Sequence, residues 1–184
     1  MSKILLLLAP GFEEIEALGT CDVLRRLDMD VTTAALDGRE VAGAHGIRVV
    51  ADAELKDIDA EKFDAVVLPG GMPGAVNLLA VKELVRAFAR RGKITAAICA
   101  APLVLSAAGL LAGRTFTMYP GMGKYLKPGE EPTGRLVECD GTVVTGKGPG
   151  ATFFFAAAVA RTLGASPMAT GEVLASMFAS AAAE

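Results

Sequence analysis

The sequence holds one histidine and three cysteines among 184 residues, and these scarcities exclude a good deal. A usual zinc site draws on several His or Cys ligands, so no metal site is expected. The cysteines are odd in number and none are spaced C-x-x-C. That argues against a disulfide framework and for free thiols in a cytoplasmic protein. No stretch reaches the ~18 apolar residues of a membrane-spanning helix, so no membrane partner is expected. The opening "MSKILLLLAP" resembles a secretory signal only superficially. Its apolar run is short, and Glu13 and Glu14 follow where a small-residue cleavage site would stand. A buried first strand is the better reading. Basic residues form no block, and the net charge is −3, so nucleic acid is not expected as a partner.

Apolar residues are plentiful. They make up 52% of the chain, against 21% charged, enough to fill a core. The length suggests one domain over 1–184. Apolar runs of strand length alternate with helical patterns. "KILLLLA" precedes "EEIEALGTCDVLRRL", "DVTTAAL" forms a second strand, "AVVLPGG" precedes "GAVNLLAVKELVRAFARRG", and "ITAAI" precedes "APLVLSAAGLL". Runs apolar on both faces suit parallel strands covered by helices, which predicts an α/β three-layer sandwich. "VAGAHGIRVV" reads as a small hairpin, and "RLVECDGTVVTG" as a second one turning at Asp140 and Gly141. Two helices, within "ATFFFAAAVARTLG" and "SPMATGEVLASMFAS", close the chain, and the final "AAAE" is expected to fray.

In such a sheet, ligands sit beyond the carboxyl ends of the strands. "APGFEE", "LPGGMPG" and "ICAAP" all lie there. Cys99, at a strand-to-helix turn, would meet helix-opening N–H groups that favour a thiolate. Free cysteine is also a common buried hydrophobe, and position alone leaves the two readings open. Cys21 reads as helix packing and Cys139 as an exposed thiol beside a turn. Glu13 and Glu14 fit the usual preference of acidic residues for a helix start. Glu16 is different. A 100° step places it near Thr20, Val23, Leu24 and Leu27, facing inward, with Glu14, Asp22, Arg25 and Arg26 on the other side. A buried carboxyl without a cation should have a raised pKa and can carry a proton; a rim glutamate is the alternative. Ile15 and Leu18 fall on the polar side, which suggests a homodimer contact through this helix. The "LPGG" glycines allow close backbone approach and N–H donation to an oxyanion. "GKGPGAT" matches neither phosphate-loop spacing and reads as a tight connection. His45 sits in the first hairpin, open between a solvated residue and one bordering a site across a dimer.

Together, "GFEEIEA", "LPGG", "AAICAAP" and "GPGATFFFA" resemble the ThiJ/PfpI superfamily, within it the branch of the parkinsonism-associated protein deglycase, the DJ-one branch. The likeness runs through nearly the whole chain. It implies a flavodoxin-like sandwich with a nucleophile elbow, dimerising through the first helix. It implies a reactive, oxidation-sensitive Cys99 contacted by Glu16, an oxyanion site made by the N–H groups of Gly71 and Ala100, and a pocket that includes Gly70, His45 and Tyr119. The implied activity is glyoxalase-like conversion of methylglyoxal to lactate, or deglycation of small molecules and proteins, without a cofactor. A redox sensor or chaperone with an oxidisable cysteine is the rival. Three positions depart from the pattern. Ala100 follows the cysteine where family proteases carry histidine. Tyr119 stands where many relatives have histidine, and a phenol shuttles protons poorly near neutral pH. His45 stands where some relatives have arginine.

Overall fold

The apolar run at the start of the chain forms β1 (Lys3–Leu8), and Ile4 to Leu8 are wholly buried. A strand sealed on both faces needs a layer on each side. A computed structural model, which describes residues 1–179, shows how the chain supplies them. The "AAAE" expected to fray lies outside the described residues.

After β1 come α1 (Glu14–Arg26), β2 (Asp30–Ala35), β3 (Glu40–Ala42), β4 (Arg48–Val50), β5 (Ala53–Glu54) and β6 (Ala65–Leu68). Then follow α2 (Gly74–Asn77), α3 (Lys82–Arg90), β7 (Ile94–Ile98) and α4 (Pro102–Ala107). The chain continues through β8 (Val137–Asp140), β9 (Val143–Gly146), α5 (Thr152–Thr162) and α6 (Pro167–Ser176). Seven strands form one sheet in the order β5-β2-β1-β6-β7-β9-β8, parallel except for β8 against β9. Helix α1 packs on α5, and α5 on α6; α2 and α3 pack with α4 in the other layer. This is a flavodoxin-like α/β sandwich. No described helix is long and apolar enough to cross a membrane.

The strand order matters for the site. β1, β6 and β7 are neighbours in the middle of the sheet and point the same way. The three loops that leave their carboxyl ends therefore emerge side by side, at the crevice where such folds bind ligands.

Two expectations need adjusting. The helix after "LPGG" is interrupted by a 3-10 turn, Leu78–Val81, which buries Leu78 and Val81 together. Residues three apart share a face in that geometry. The helix after Cys99 ends at Ala107 because Gly109, at φ +76°, turns the chain; its N–H and that of Leu110 bond back to Ser106 and Leu105. The hairpin of β8 and β9 is part of the main sheet, since β9 pairs with β7. The small hairpin of β3 and β4 forms its own two-stranded sheet.

Candidate active site

Cys99 follows the last residue of β7 and has φ +63°, a left-handed conformation that is uncommon outside glycine. Its peptide groups are pinned on both sides. The Cys99 N–H donates to the Gly146 carbonyl at 2.8 Å, and the Cys99 carbonyl accepts from the Tyr119 N–H at 2.8 Å. This elbow turns a side chain from the sheet toward the crevice and leaves it 8% exposed. The regular helix starts only at Pro102 and is six residues long, so the expected helix N-terminus does not reach the sulfur directly. The donors facing the sulfur are the N–H groups of Gly71 and Ala100.

Glu16 points inward from α1 and has no exposed surface. Three hydrogen bonds fix it against the "LPGG" loop. Gly70 N–H donates to Glu16 Oε2 at 2.7 Å, Glu13 N–H donates to the Gly70 carbonyl at 3.0 Å, and the Glu13 carboxylate accepts from the Glu16 N–H at 2.7 Å. Glu13 is thus the N-cap of α1. Gly70 has no room for a side chain: a Cβ there would stand 2.6 Å from Glu16 Oε2 and 2.7 Å from Cys99 Cβ. The carboxyl and the thiol converge over this glycine. Gly71 is also required, because it has φ +88° and a Cβ would strike the Gly11 carbonyl.

Glu16 Oε1 is buried and has no donor. An ionised carboxylate would leave that oxygen unsatisfied, at a cost of about 1–3 kcal/mol or more. A protonated one makes it a donor, with the Cys99 sulfur beside it. Burial accordingly lifts the Glu16 pKa to about 7, against smaller opposing effects from Cys99 and the Gly70 N–H. Burial also raises the Cys99 thiol, and a charged Glu16 raises it further; the N–H groups of Gly71 and Ala100 act in the opposite sense. The two groups interact directly, so their titrations are coupled. With the proton on Glu16, its charge no longer opposes a thiolate.

Other positions separate from this pair. Tyr119 is 49% exposed and reaches Cys99 only through its backbone, its ring packing against Gly148. His45 is bound to its own chain: Nδ1 lies 2.8 Å from Glu14 Oε2. It makes no hydrogen bond to Cys99 or Glu16 among the described residues. Glu14 is a correction. The wheel placed it on the polar side, yet it is 4% exposed because the β3–β4 hairpin folds over it. It accepts from the N–H groups of His45 and Ile47 as well as the imidazole. Burial, the largest single influence, raises its pKa, and the hydrogen bonds from His45, its own N–H and Ile47 together outweigh that and lower it. Gly43 makes the packing possible, since a Cβ would occupy the place of the Glu14 carboxylate. Glu13, Glu14 and His45 also form the one cluster of potential metal ligands among the described residues, within 4.8 Å. Glu14, however, already serves the hairpin with both oxygens. Ile15 and Leu18 are 56% and 40% exposed. Cys21 is buried in α1 and Cys139 is exposed.

Comparison with known proteins gives a consistent result. The sequence profile of the DJ-1/PfpI family matches residues 2–162. Protein dj-1beta of Drosophila melanogaster is 39% identical over 170 residues, covering 89% of this chain and 90% of that protein. The glutathione-independent glyoxalase DJR-1.2 of Caenorhabditis elegans is 36% identical over 165 residues, covering 88% of each. The crystal structure of Drosophila melanogaster DJ-1beta superposes with a TM-score of 0.91 at 36% identity, covering 98% of this chain and 100% of that one.

Proposed function

The chain belongs to the DJ-1/PfpI family, and from that premise we propose that it is a cysteine-dependent, cofactor-independent enzyme acting on small reactive carbonyls. The observation that carries the reading is the convergence of Cys99 and Glu16 over Gly70, with Glu16 Oε1 buried and without a donor. A relative named a glyoxalase supports it.

The reaction starts when the Glu16 carboxylate takes the Cys99 thiol proton, which leaves a neutral carboxyl beside a thiolate. The thiolate attacks the aldehyde carbon of methylglyoxal, and the N–H groups of Gly71 and Ala100 hold the oxyanion. Glu16 gives this oxygen its proton, which leaves a hemithioacetal and a carboxylate beside the former aldehyde C–H. The carboxylate removes that hydrogen, an enediolate forms, and Glu16 returns the proton to the neighbouring carbon. The hydroxyl proton on the first carbon passes to the oxygen on the second, giving a lactoyl thioester on Cys99. Water, deprotonated by Glu16, attacks the thioester and expels the thiolate; lactic acid loses its proton to solvent. In the deglycation version, Cys99 displaces an amine or thiol carrier from the same carbon. The carrier leaves with the Glu16 proton, and the identical hemithioacetal results. Ala100 offers no base for a protease-type Cys–His pair, so peptide cleavage is not expected.

The test is direct measurement of lactate from methylglyoxal with wild type and Cys99→Ser, folding checked by circular dichroism. Loss of lactate in a folded variant supports the reading, and full activity in Cys99→Ser overturns it.

A second reading is favoured by the same donors. Gly71 N–H, Ala100 N–H and a protonated Glu16 would also hold a sulfinate on Cys99 after peroxide treatment, as a redox sensor requires. Peptide-resolved mass after mild peroxide separates the two: two added oxygens on Cys99 with no carbonyl turnover would favour the sensor. We further propose a homodimer through the exposed Ile15 and Leu18 of α1 and Ile47 of the hairpin. Sedimentation showing only monomer at micromolar concentration would exclude it.

A further inference from the structure

A cavity of about 380 Å³ lies beside the elbow, walled by Tyr119, Pro120, Leu136, Lys147, Gly148 and Pro149. Its walls are tied to the Cys99 peptide through backbone hydrogen bonds, while the Cys99 sulfur and Glu16 lie outside its lining. Tyr119 N–H bonds to the Cys99 carbonyl, Gly146 accepts from the Cys99 N–H, and Lys147 N–H closes onto the Leu136 carbonyl at 2.9 Å. The Tyr119 ring packs on Gly148, where a Cβ would come within 3.2 Å of the ring. Gly148 has extended backbone, φ 170°, so a side chain there would bring no backbone strain and would only press the ring outward by a few tenths of an ångström. The surface is mostly apolar, and Tyr119 and Leu136 are 49% and 45% exposed. One charge borders it. Lys147 is half-buried and makes no ion pair among the described residues.

Methylglyoxal itself has three carbons and needs no such space. A glycated adduct has a carrier, the amine or thiol that leaves when Cys99 attacks, and the carrier must lie to one side of the sulfur. We propose that this cavity is the carrier subsite, and that it selects adducts whose carrier has an apolar body and a carboxylate. The body lies along Tyr119, Leu136 and Pro120, and the carboxylate meets the Lys147 ammonium. This rests on the reading of Cys99 as the attacking group. It makes Tyr119 a wall of the subsite, which accounts for an aromatic residue at a position where proton transfer is not its task.

The test uses three stable ligands that cannot react: the S-acetonyl thioethers of N-acetylcysteine, of its methyl ester and of 2-(trimethylammonio)ethanethiol. They share the thioether and ketone and carry a negative, neutral or positive carrier. Binding is measured by calorimetry on wild type, Cys99→Ser, Lys147→Met, Lys147→Glu and Tyr119→Ala. The carboxylate ligand should bind wild type about 2–5-fold more tightly than the ester, in the range of one partly exposed ion pair. Lys147→Met should erase that preference, and Lys147→Glu should turn it toward the trimethylammonio thioether. Tyr119→Ala should weaken all three by a similar factor. Equal binding of the three ligands to wild type, or an unchanged order in Lys147→Glu, overturns the proposal. The Cys99→Ser arm keeps the two ideas apart. If that variant still turns over methylglyoxal, the enzymatic reading fails; if charge selectivity is absent, the subsite fails whatever the turnover.

Discussion

Glu14 and Glu16 sit two positions apart on the first turn of α1, and both are covered, at 4% and 0% exposed. Their chemistry is opposite. Glu14 accepts from two backbone N–H groups and an imidazole, and its pKa is lowered. Glu16 accepts from one N–H, keeps an orphaned oxygen, and has its pKa lifted to about 7. Burial pushes both carboxyls up; at Glu14 the hydrogen bonds outweigh it, and at Glu16 burial prevails over the few donors present. Glu14 is a clip for the hairpin. Glu16 is left short of donors next to a sulfur, and that shortage is what makes a proton available.

The contrast is tested most severely by activity. Glu16→Gln should reduce lactate formation by about 10²- to 10⁴-fold, the usual worth of a general acid–base group. Glu14→Gln should leave it within about threefold, since this carboxylate touches neither sulfur nor donors of the site. Steady-state kinetics on both variants settles the comparison, and equal losses would break it.

Gly70→Ala should come next. The new Cβ would crowd Glu16 Oε2 and Cys99 Cβ at 2.6 and 2.7 Å. Overpacking of this kind costs about 1–3 kcal/mol, and urea unfolding should show it together with a large loss of turnover.

The pH dependence of stability should have opposite signs at the two carboxyls. Glu16 binds its proton more tightly folded than unfolded, so between pH 4.5 and about 7 the native state holds more protons. Stability from this group therefore falls as pH rises, by about 3 kcal/mol in all. Glu16→Gln should flatten that fall in denaturant titrations across the window. Glu14 has the lowered value, so its contribution is present above pH 4.5 and is lost as pH drops through its folded pKa.

The smallest effect is at His45. The Glu14 carboxylate raises its pKa. Its contribution is complete below pH 6.5 and is lost as pH rises through the folded value. His45→Ala should lower the thermal midpoint slightly at pH 6 and not measurably at pH 9.

Much of this arrangement was legible in the sequence. The doubly apolar runs of β1, β6 and β7 announce buried parallel strands, and the loops after them mark the crevice. The 3.6-residue period puts Glu16 inward, and the turn after "ITAAI" singles out Cys99. Glu14 was misread because its cover comes from the hairpin some 30 residues later, a tertiary contact to which helical periodicity is blind. Gly43 was the available hint, a glycine whose missing Cβ makes room for the carboxylate. The break at Leu78–Val81 has the same origin, packing that no cap or proline signals. Likewise, nothing in the spacing joins Ser106 to Glu130, yet the Ser106 hydroxyl donates to that buried carboxylate and ties the long loop before β8 to α4.

The central claim is that Cys99 and Glu16 are coupled and act together. Lactate formation and Cys99 alkylation by iodoacetamide, followed on wild type and Glu16→Gln from pH 5 to 9, test it most directly. The account predicts that Glu16→Gln still presents an alkylatable Cys99, with a shifted pH profile, yet makes almost no lactate. Lactate formation at the wild-type rate in Glu16→Gln, with an unchanged alkylation profile, would contradict it.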